Sequence, residues 1–373
     1  MIRSDVNLTY VTLLVTENCN QKCTYCYDNF FAGERVNSDK PDAWLSVDML
    51  PSIVSFVDSH RDKSKPIRFH YIGGEPLLNF EFVKTSAKQL FLHYGPSTKF
   101  YINTNLTILT DEMIDTFVKY HFTVTTSIDG RREAHNRYRA NWDLVIQNLI
   151  RLTTRYIEAF GPDHNSIRSN CVVSAANVST LLEDFLAINR FCPLQHLDFN
   201  AEDPDWTPNK LEELKRVIQT IARLVPSFLN ENGVYQSAVK AQTDSKYCCN
   251  PHRTVTIGPR GRLYFCHRLV PKSYVFTPGF TEYYGDIYAD YSNTEYFERM
   301  DTYEKNIGPE CAACKYLKYC KGGCRALDCS PNPLPKGIGV HPDCTYQGII
   351  YDIYEELNSK SLSSESLPSS PAP

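Results

Sequence analysis

The chain has 373 residues, 42% of them hydrophobic, with a formal net charge of −4 and 14 cysteines. That length and apolar content suffice for one large domain with a smaller one, or for two ordinary domains. The slight acidity argues against a nucleic-acid partner, and no apolar run is long enough to span a bilayer. Met1-Ile2-Arg3-Ser4-Asp5 leads straight into a hydrophobic run and lacks the apolar stretch and cleavage site of a secretory signal. The cysteines are therefore expected in the cytoplasm, where thiols stay reduced and metal binding or catalysis explains them better than disulfides do.

Runs rich in Val, Ile, Phe and Tyr at 8–15, 67–72, 98–103, 122–128, 167–174 and 196–200 predict six buried strands. Helical patterns lie between them, at Leu45–His60, Phe80–Tyr94, Asp111–Tyr120, Trp142–Ala159 and Ser179–Phe191, with Asp111 and Ser179 as expected N-caps. A further helix is expected over Leu211–Leu229. Strand–helix alternation with right-handed crossovers predicts an α/β fold, its parallel sheet curled into an open, partial (β/α)6 barrel. Past residue 230 the composition turns to short strands, Gly, Pro and Cys. A boundary near 231 thus separates residues 1–230 from a cysteine-rich unit at 231–358, and the Ser/Pro-rich tail at 359–373 is expected to stay disordered.

The polar motifs mostly follow strands, which would gather them on one rim of the barrel. Cys19, Cys23 and Cys26 come just past the first strand. Soft thiolates suit iron–sulfur clusters, although three clustered cysteines alone would also fit a zinc or redox loop. Gly73-Gly74-Glu75-Pro76 follows the second strand; its glycines allow close backbone approach and its carboxylate could bind an ammonium group. Asn103-Thr104-Asn105 follows the third. After the fourth, Ser127 and Asp129 alternate and so face the same way, as a ribose diol would require.

These residues resemble the radical SAM superfamily. The CxxxCxxC loop reads Cys19-Asn20-Gln21-Lys22-Cys23-Thr24-Tyr25-Cys26, and the later segments resemble the GGEP motif, the Thr-Asn-Gly segment and the Asp-Gly…His-Asp…Arg stretch of that family. Leu106 stands where glycine is usual and Asn136 where aspartate is common. The resemblance implies a 4Fe-4S cluster on Cys19, Cys23 and Cys26, whose open iron chelates S-adenosylmethionine for cleavage to a 5′-deoxyadenosyl radical. It makes Tyr25, Gly73, Gly74, Glu75, Pro76, Asn105, Ser127, Asp129 and Arg139 the cofactor-binding candidates.

The second half carries Cys311-x2-Cys314-x5-Cys320-x3-Cys324 and then Cys344, preceded by Cys248-Cys249 and Cys266. By itself this density fits a zinc ribbon. After a radical SAM domain it resembles a SPASM domain, which implies two auxiliary 4Fe-4S clusters and so three in all. By that resemblance Cys311, Cys314, Cys320 and Cys344 hold the distal cluster, and Cys324 joins Cys266 and one or both of Cys248 and Cys249 at the proximal one. Cys171 and Cys192 read as small buried hydrophobes, and Cys329 as an ordinary loop thiol or, second, a substitute cluster ligand.

The layout resembles anaerobic sulfatase-maturating enzymes, in which an aspartate follows the cysteine equivalent to Cys266 as the base. His267 stands there instead and is the catalytic candidate, since imidazole can accept a proton near neutral pH. The segment Cys266-His267-Arg268 resembles thioether-forming peptide maturases more closely, which ranks formylglycine formation second. The expected activity is a peptide- or protein-modifying oxidoreductase making thioether or carbon–carbon links, reduced by flavodoxin or ferredoxin. Because Cys19 follows the first strand too closely for an N-terminal recognition domain, a leader peptide is expected to bind either the catalytic core or a separate leader-recognition protein. A small-molecule radical SAM dehydrogenase and a zinc-stabilised binding module are the alternatives.

Overall fold

The computed structural model describes residues 6–26, 43–200, 203–225, 227–228, 252–267, 285–289, 309–320 and 342–364. Its strands are β1 (Tyr10–Thr16), β2 (Arg68–Gly73), β3 (Lys99–Thr104), β4 (Thr123–Ser127), β5 (Ile167–Val173), β6 (Gln195–Phe199), β7 (Thr254–Ile257), β8 (Arg262–Tyr264) and β9 (Gly285–Asp286). They form one open sheet in the order β6-β5-β4-β3-β2-β1-β7-β8-β9. Every pairing from β6 to β7 is parallel, and β8 and β9 add antiparallel. The six expected strands are present. The cysteine-rich half extends the same sheet, because β7 lies beside β1 with Thr254 opposite Tyr10.

The helices are α1 (Leu50–His60), α2 (Phe80–Tyr94), α3 (Asp111–Lys119), α4 (Arg132–Tyr138), α5 (Trp142–Phe160), α6 (Leu181–Asn189), α7 (Pro208–Leu224), α8 (Pro309–Ala312), α9 (Leu317–Cys320) and α10 (Pro342–Ser364). Several differ from the sequence expectation: α1 begins at Leu50, after a short 3-10 turn over Val47–Met49, and α7 spans Pro208–Leu224 where Leu211–Leu229 was expected. The cap of α3 is Thr110, whose hydroxyl accepts from Met113 N, and Asp111 is the first helical residue. Helix α6 starts two residues after Ser179, because turns bonded through Asn177 occupy its approach. Helix α4 has no apolar period to reveal it, since the side chains it buries are His135 and Tyr138. Helix α10 continues past Ser359 to Ser364, where no proline intervenes to stop it.

Alternation along the strands sorts the sheet into two faces. Val11, Leu13, Phe69, Tyr71, Phe100, Ile102 and Val124 point outward and form one core with Phe82, Phe117 and Leu149 of the covering helices. A second core joins Val173, Leu197 and Phe199 to α6, α7 and α10. There Phe199 stacks on Tyr346 at 4.6 Å, which packs α10 against the β6 end of the sheet. The opposite, inner face is polar, carrying His70, Asn103, Ser127, Asn170 and Asp198, and it opens toward the strand C-termini.

Candidate active site

The three-cysteine loop is fixed by its neighbours. Thr16 Oγ1 accepts from Asn18 N at 3.0 Å, while Gly74 N donates to Thr16 O at 2.9 Å and Glu75 N to Asn18 O at 2.8 Å. A Cβ on Gly74 would lie 2.2 Å from Asn18 O and 2.9 Å from Cys19 Cβ, so the glycine serves close approach to the cysteine loop itself. Glu75 sits behind that contact, 1% exposed. Its carboxylate accepts from Thr104 Oγ1 at 2.7 Å, Asn105 N at 2.7 Å and Leu77 N at 3.0 Å. Burial pushes its pKa up to about 7, against the pull of those donors. Glu75 thereby ties the ends of β2 and β3 to the cysteine loop.

A second brace reaches the loop from β4. The Asp129 carboxylate, 1% exposed, accepts from the Tyr25 hydroxyl, from Arg139 Nε at 2.9 Å and from Val172 N at 3.1 Å. The Arg139 guanidinium also lies 5.2 Å from the centre of the Tyr25 ring and 3.8 Å from Cys23 Sγ. Burial alone would make the guanidinium easier to deprotonate, but the Asp129 charge reverses that and raises its pKa. Asn105 Nδ2 approaches Cys19 Sγ at 3.9 Å and Asn20 Oδ1 at 2.8 Å. Leu106, in place of the usual glycine, adopts φ 57 and is fully buried.

A cavity of about 210 Å³ opens over this loop. Cys19, Cys23, Tyr25, Cys26, Gly73, Gly74, Asn105, Ser127 and Arg139 line it, and His267 enters it from just beyond β8. Pro76, Glu75 and Asp129 are not among the lining residues and stand behind them. Asn170, Asp198 and Asn200, which belong to none of the sequence motifs, line the far side. Their signal was the period-two alternation of β5 and β6, which puts Asn170 opposite His196 and Asp198 opposite Val172 on the inner face.

A second cavity, of about 500 Å³, is lined by Cys311, Cys314, Cys320 and Cys344. Lys315 and Lys318 tie it to α10 through Asp352 at 2.9 Å and Glu355 at 2.7 Å. Cys266 is buried in the main core, and Cys171 and Cys192 are buried as well. Cys248, Cys249, Cys324, Cys329 and Arg268 lie outside the described residues. Among the described residues no three His, Cys, Asp or Glu side chains surround one point as a closed set of ligands to a single metal ion.

Residues 13–162 match the radical SAM superfamily. The chain carries a radical SAM domain. It is 24% identical over 339 residues to a cysteine-type anaerobic sulfatase-maturating enzyme of Clostridium perfringens, covering 83% of this chain and 86% of that one. It is 32% identical over 127 residues to a serine-type counterpart of Bacteroides thetaiotaomicron, 33% of this chain and 30% of that one. The radical SAM cyclopropyl synthase TigE of Paramaledivibacter caminithermalis is 25% identical over 185 residues, 46% of this chain and 37% of that one. The structure of anSMEcpe with bound AdoMet and the Cp18Cys peptide shares the fold, with a TM-score of 0.69 and 18% identity over 96% of this chain and 99% of that one.

The chain is thus an enzyme whose radical SAM domain implies a 4Fe-4S cluster and S-adenosylmethionine. The residues present fit that group. Three thiols face one cavity, and Gln21 N, Asn105 Nδ2 and Arg139 Nη1 approach the Cys19 and Cys23 sulfurs at 3.4, 3.9 and 3.8 Å. Such N–H donors stabilise thiolate charge. No helix among the described residues is long and apolar enough to cross a membrane.

Proposed function

We propose that this enzyme is a cytoplasmic maturase that oxidises a side chain of a peptide or protein. The observation that carries the reading is the single cavity in which Cys19, Cys23 and Cys26 meet His267, a residue drawn from the other half of the chain. When bound, a 4Fe-4S cluster on these three cysteines would supply the one-electron cleavage of S-adenosylmethionine that yields a hydrogen-abstracting carbon radical. The protein's part is placement. Asn105 and Arg139 steady the thiolates, Tyr25 and Ser127 offer surface to the nucleoside, and Asp129 and Glu75 hold those groups in register from behind. His267 accepts the proton released when the substrate is oxidised.

In this reading residues 1–230 are the radical SAM domain and 231–358 a SPASM domain with two auxiliary clusters. Cys311, Cys314, Cys320 and Cys344 hold one, and Cys266, Cys324 and one or both of Cys248 and Cys249 supply the other. The shared cavity of the first four supports that assignment. Flavodoxin or ferredoxin is the reductant, and a separate leader-recognition protein is a possible partner.

Two reactions have equal support. His267 in the place of aspartate favours thioether or carbon–carbon crosslinking, and the likeness to TigE, a cyclopropyl synthase, agrees with carbon–carbon bond formation. The match to a sulfatase-maturating enzyme along 83% of this chain favours formylglycine, and it removes the second rank that His267 suggested. Incubation of the anaerobically reconstituted enzyme with the Cp18Cys peptide and with cysteine-rich peptides encoded beside it decides between them. An aldehyde that reacts with a hydrazide probe marks formylglycine; loss of two hydrogens without an aldehyde marks a crosslink. Turnover of neither class, with a small molecule consumed instead, refutes the peptide reading.

A further inference from the structure

A polar chain on the inner face of the sheet has no part in the roles above. Tyr10 on β1, His70 on β2 and Asn103 on β3 share one parity, so their side chains stand on the same side of three adjacent strands. Tyr10 Oη lies 2.8 Å from His70 Nδ1, and His70 Nε2 lies 3.1 Å from Asn103 Oδ1. The last contact sets the direction of the whole chain. An amide oxygen only accepts, so Nε2 carries the hydrogen, and in a neutral ring Nδ1 is then bare and accepts from the Tyr10 hydroxyl. Burial of the ring pushes the His70 pKa down to about 4, which keeps it neutral at working pH. The rings of Tyr10 and Tyr101 meet the imidazole edge-on at 5.9 and 6.3 Å and limit its rotation.

With its oxygen engaged, the Asn103 amide has its N–H group left over, and Asn103 lines the cavity that holds the three cysteines and His267. No described residue takes a hydrogen bond from that nitrogen. Two strands away, Asn170 Oδ1 is buried in the same cavity wall without a partner. A free donor at Asn103 and a free acceptor at Asn170 match the two groups of a peptide unit, which offers C=O to one side and N–H to the other.

We propose that Tyr10 and His70 are positioning residues that hold Asn103 with its amide N–H toward the cavity, where it donates to a carbonyl oxygen of the peptide substrate. The ligand class rests on the peptide reading above; the orientation of the chain does not. Tyr10 gives its hydrogen to Nδ1, Nε2–H goes to Asn103 Oδ1, and Asn103 Nδ2 is the group the substrate meets.

Long-range 1H–15N correlation of the histidine rings in the folded protein tests the orientation without substrate. His70 should be the neutral Nε2–H tautomer from pH 6 to pH 8. An Nδ1–H ring, or one that protonates near pH 6.5 as a free imidazole does, overturns the chain. The ligand is tested in the reconstituted holoenzyme by anisotropy with labelled Cp18Cys peptide and by equilibrium dialysis with S-adenosylmethionine. His70→Phe and Asn103→Leu should each weaken peptide binding about tenfold, the size of one lost hydrogen bond, with nucleotide affinity unchanged. His70→Gln, whose amide can accept from Tyr10 and donate to Asn103, should restore it. Peptide affinity unchanged in both variants, nucleotide affinity lost instead, or no rescue by glutamine overturns the role of Asn103. Wild type that binds no peptide counts against the peptide reading and the carbonyl ligand together, and the tautomer still decides the orienting chain.

Discussion

The two cysteine regions of this enzyme are held in opposite ways. The loop of Cys19, Cys23 and Cys26 rests on buried charge: Asp129 against Arg139 on one side and Glu75 among three donors on the other. The cavity of Cys311, Cys314, Cys320 and Cys344 is tied to α10 by exposed pairs, Lys315 with Asp352 and Lys318 with Glu355. Buried pairs are costly to break because each partner left behind stays desolvated. Exposed pairs contribute little. The first region should therefore be rigid before any cofactor arrives, and the second should owe its shape mainly to packing and to whatever its thiols bind.

The largest effect should come from breaking the first brace. Arg139→Met leaves the Asp129 carboxylate buried beside the Tyr25 hydroxyl, at a cost of about 3–5 kcal/mol, read as a fall in the urea midpoint of the protein. If the midpoint is unchanged, the contrast between the two regions fails at its strong end.

Glu75→Gln comes next. Its amide nitrogen would face either Asn105 N–H or the Leu77 and Thr104 donors, and this should cost about 1–3 kcal/mol. The parent residue also gives a pH signature. Its folded pKa, about 7, lies above the ordinary 4.5, so the folded state holds the proton more tightly than the unfolded chain. Stability should fall as pH rises from about 4.5 and level off above about 7. Denaturation across that range should show the slope in wild type and lose this part of it in Glu75→Gln.

How far the sequence could be read follows the same division. The six parallel strands and the first cysteine loop were legible because hydrophobic runs and motif spacing are local signals. The sharing of one sheet by β1 and β7 was not, since Thr254–Ile257 is only four residues long and its partner lies more than two hundred residues earlier. Nor were the roles of Glu75 and Asp129 behind the cavity wall. Their motifs mark where they stand in the chain, but which way a carboxylate turns depends on Thr104, Arg139 and Val172, which come from other strands and loops.

Leu106→Gly sharpens the comparison on a smaller scale. Glycine would relieve a left-handed backbone strain of about 1–2 kcal/mol but remove a fully buried side chain worth about 2–5 kcal/mol. Burial wins, so the variant should be less stable, by up to about 4 kcal/mol; a stabilised variant would mean that strain dominates at this turn. At the weak end, Lys315→Ala with Lys318→Ala should leave the denaturation midpoint unmoved. A clear drop would mean that the second cysteine region depends on its surface pairs after all.

The central claim is that the Cys19, Cys23 and Cys26 loop is where S-adenosylmethionine is cleaved. The most direct measurement is 5′-deoxyadenosine release under strong reductant, with iron counted in parallel, for anaerobically reconstituted wild type and a variant with all three cysteines changed to alanine. Wild type should release it, the variant should release none, and the variant should retain iron at the other cysteines. Wild type that releases no 5′-deoxyadenosine, or a variant that releases as much as wild type, would contradict the claim.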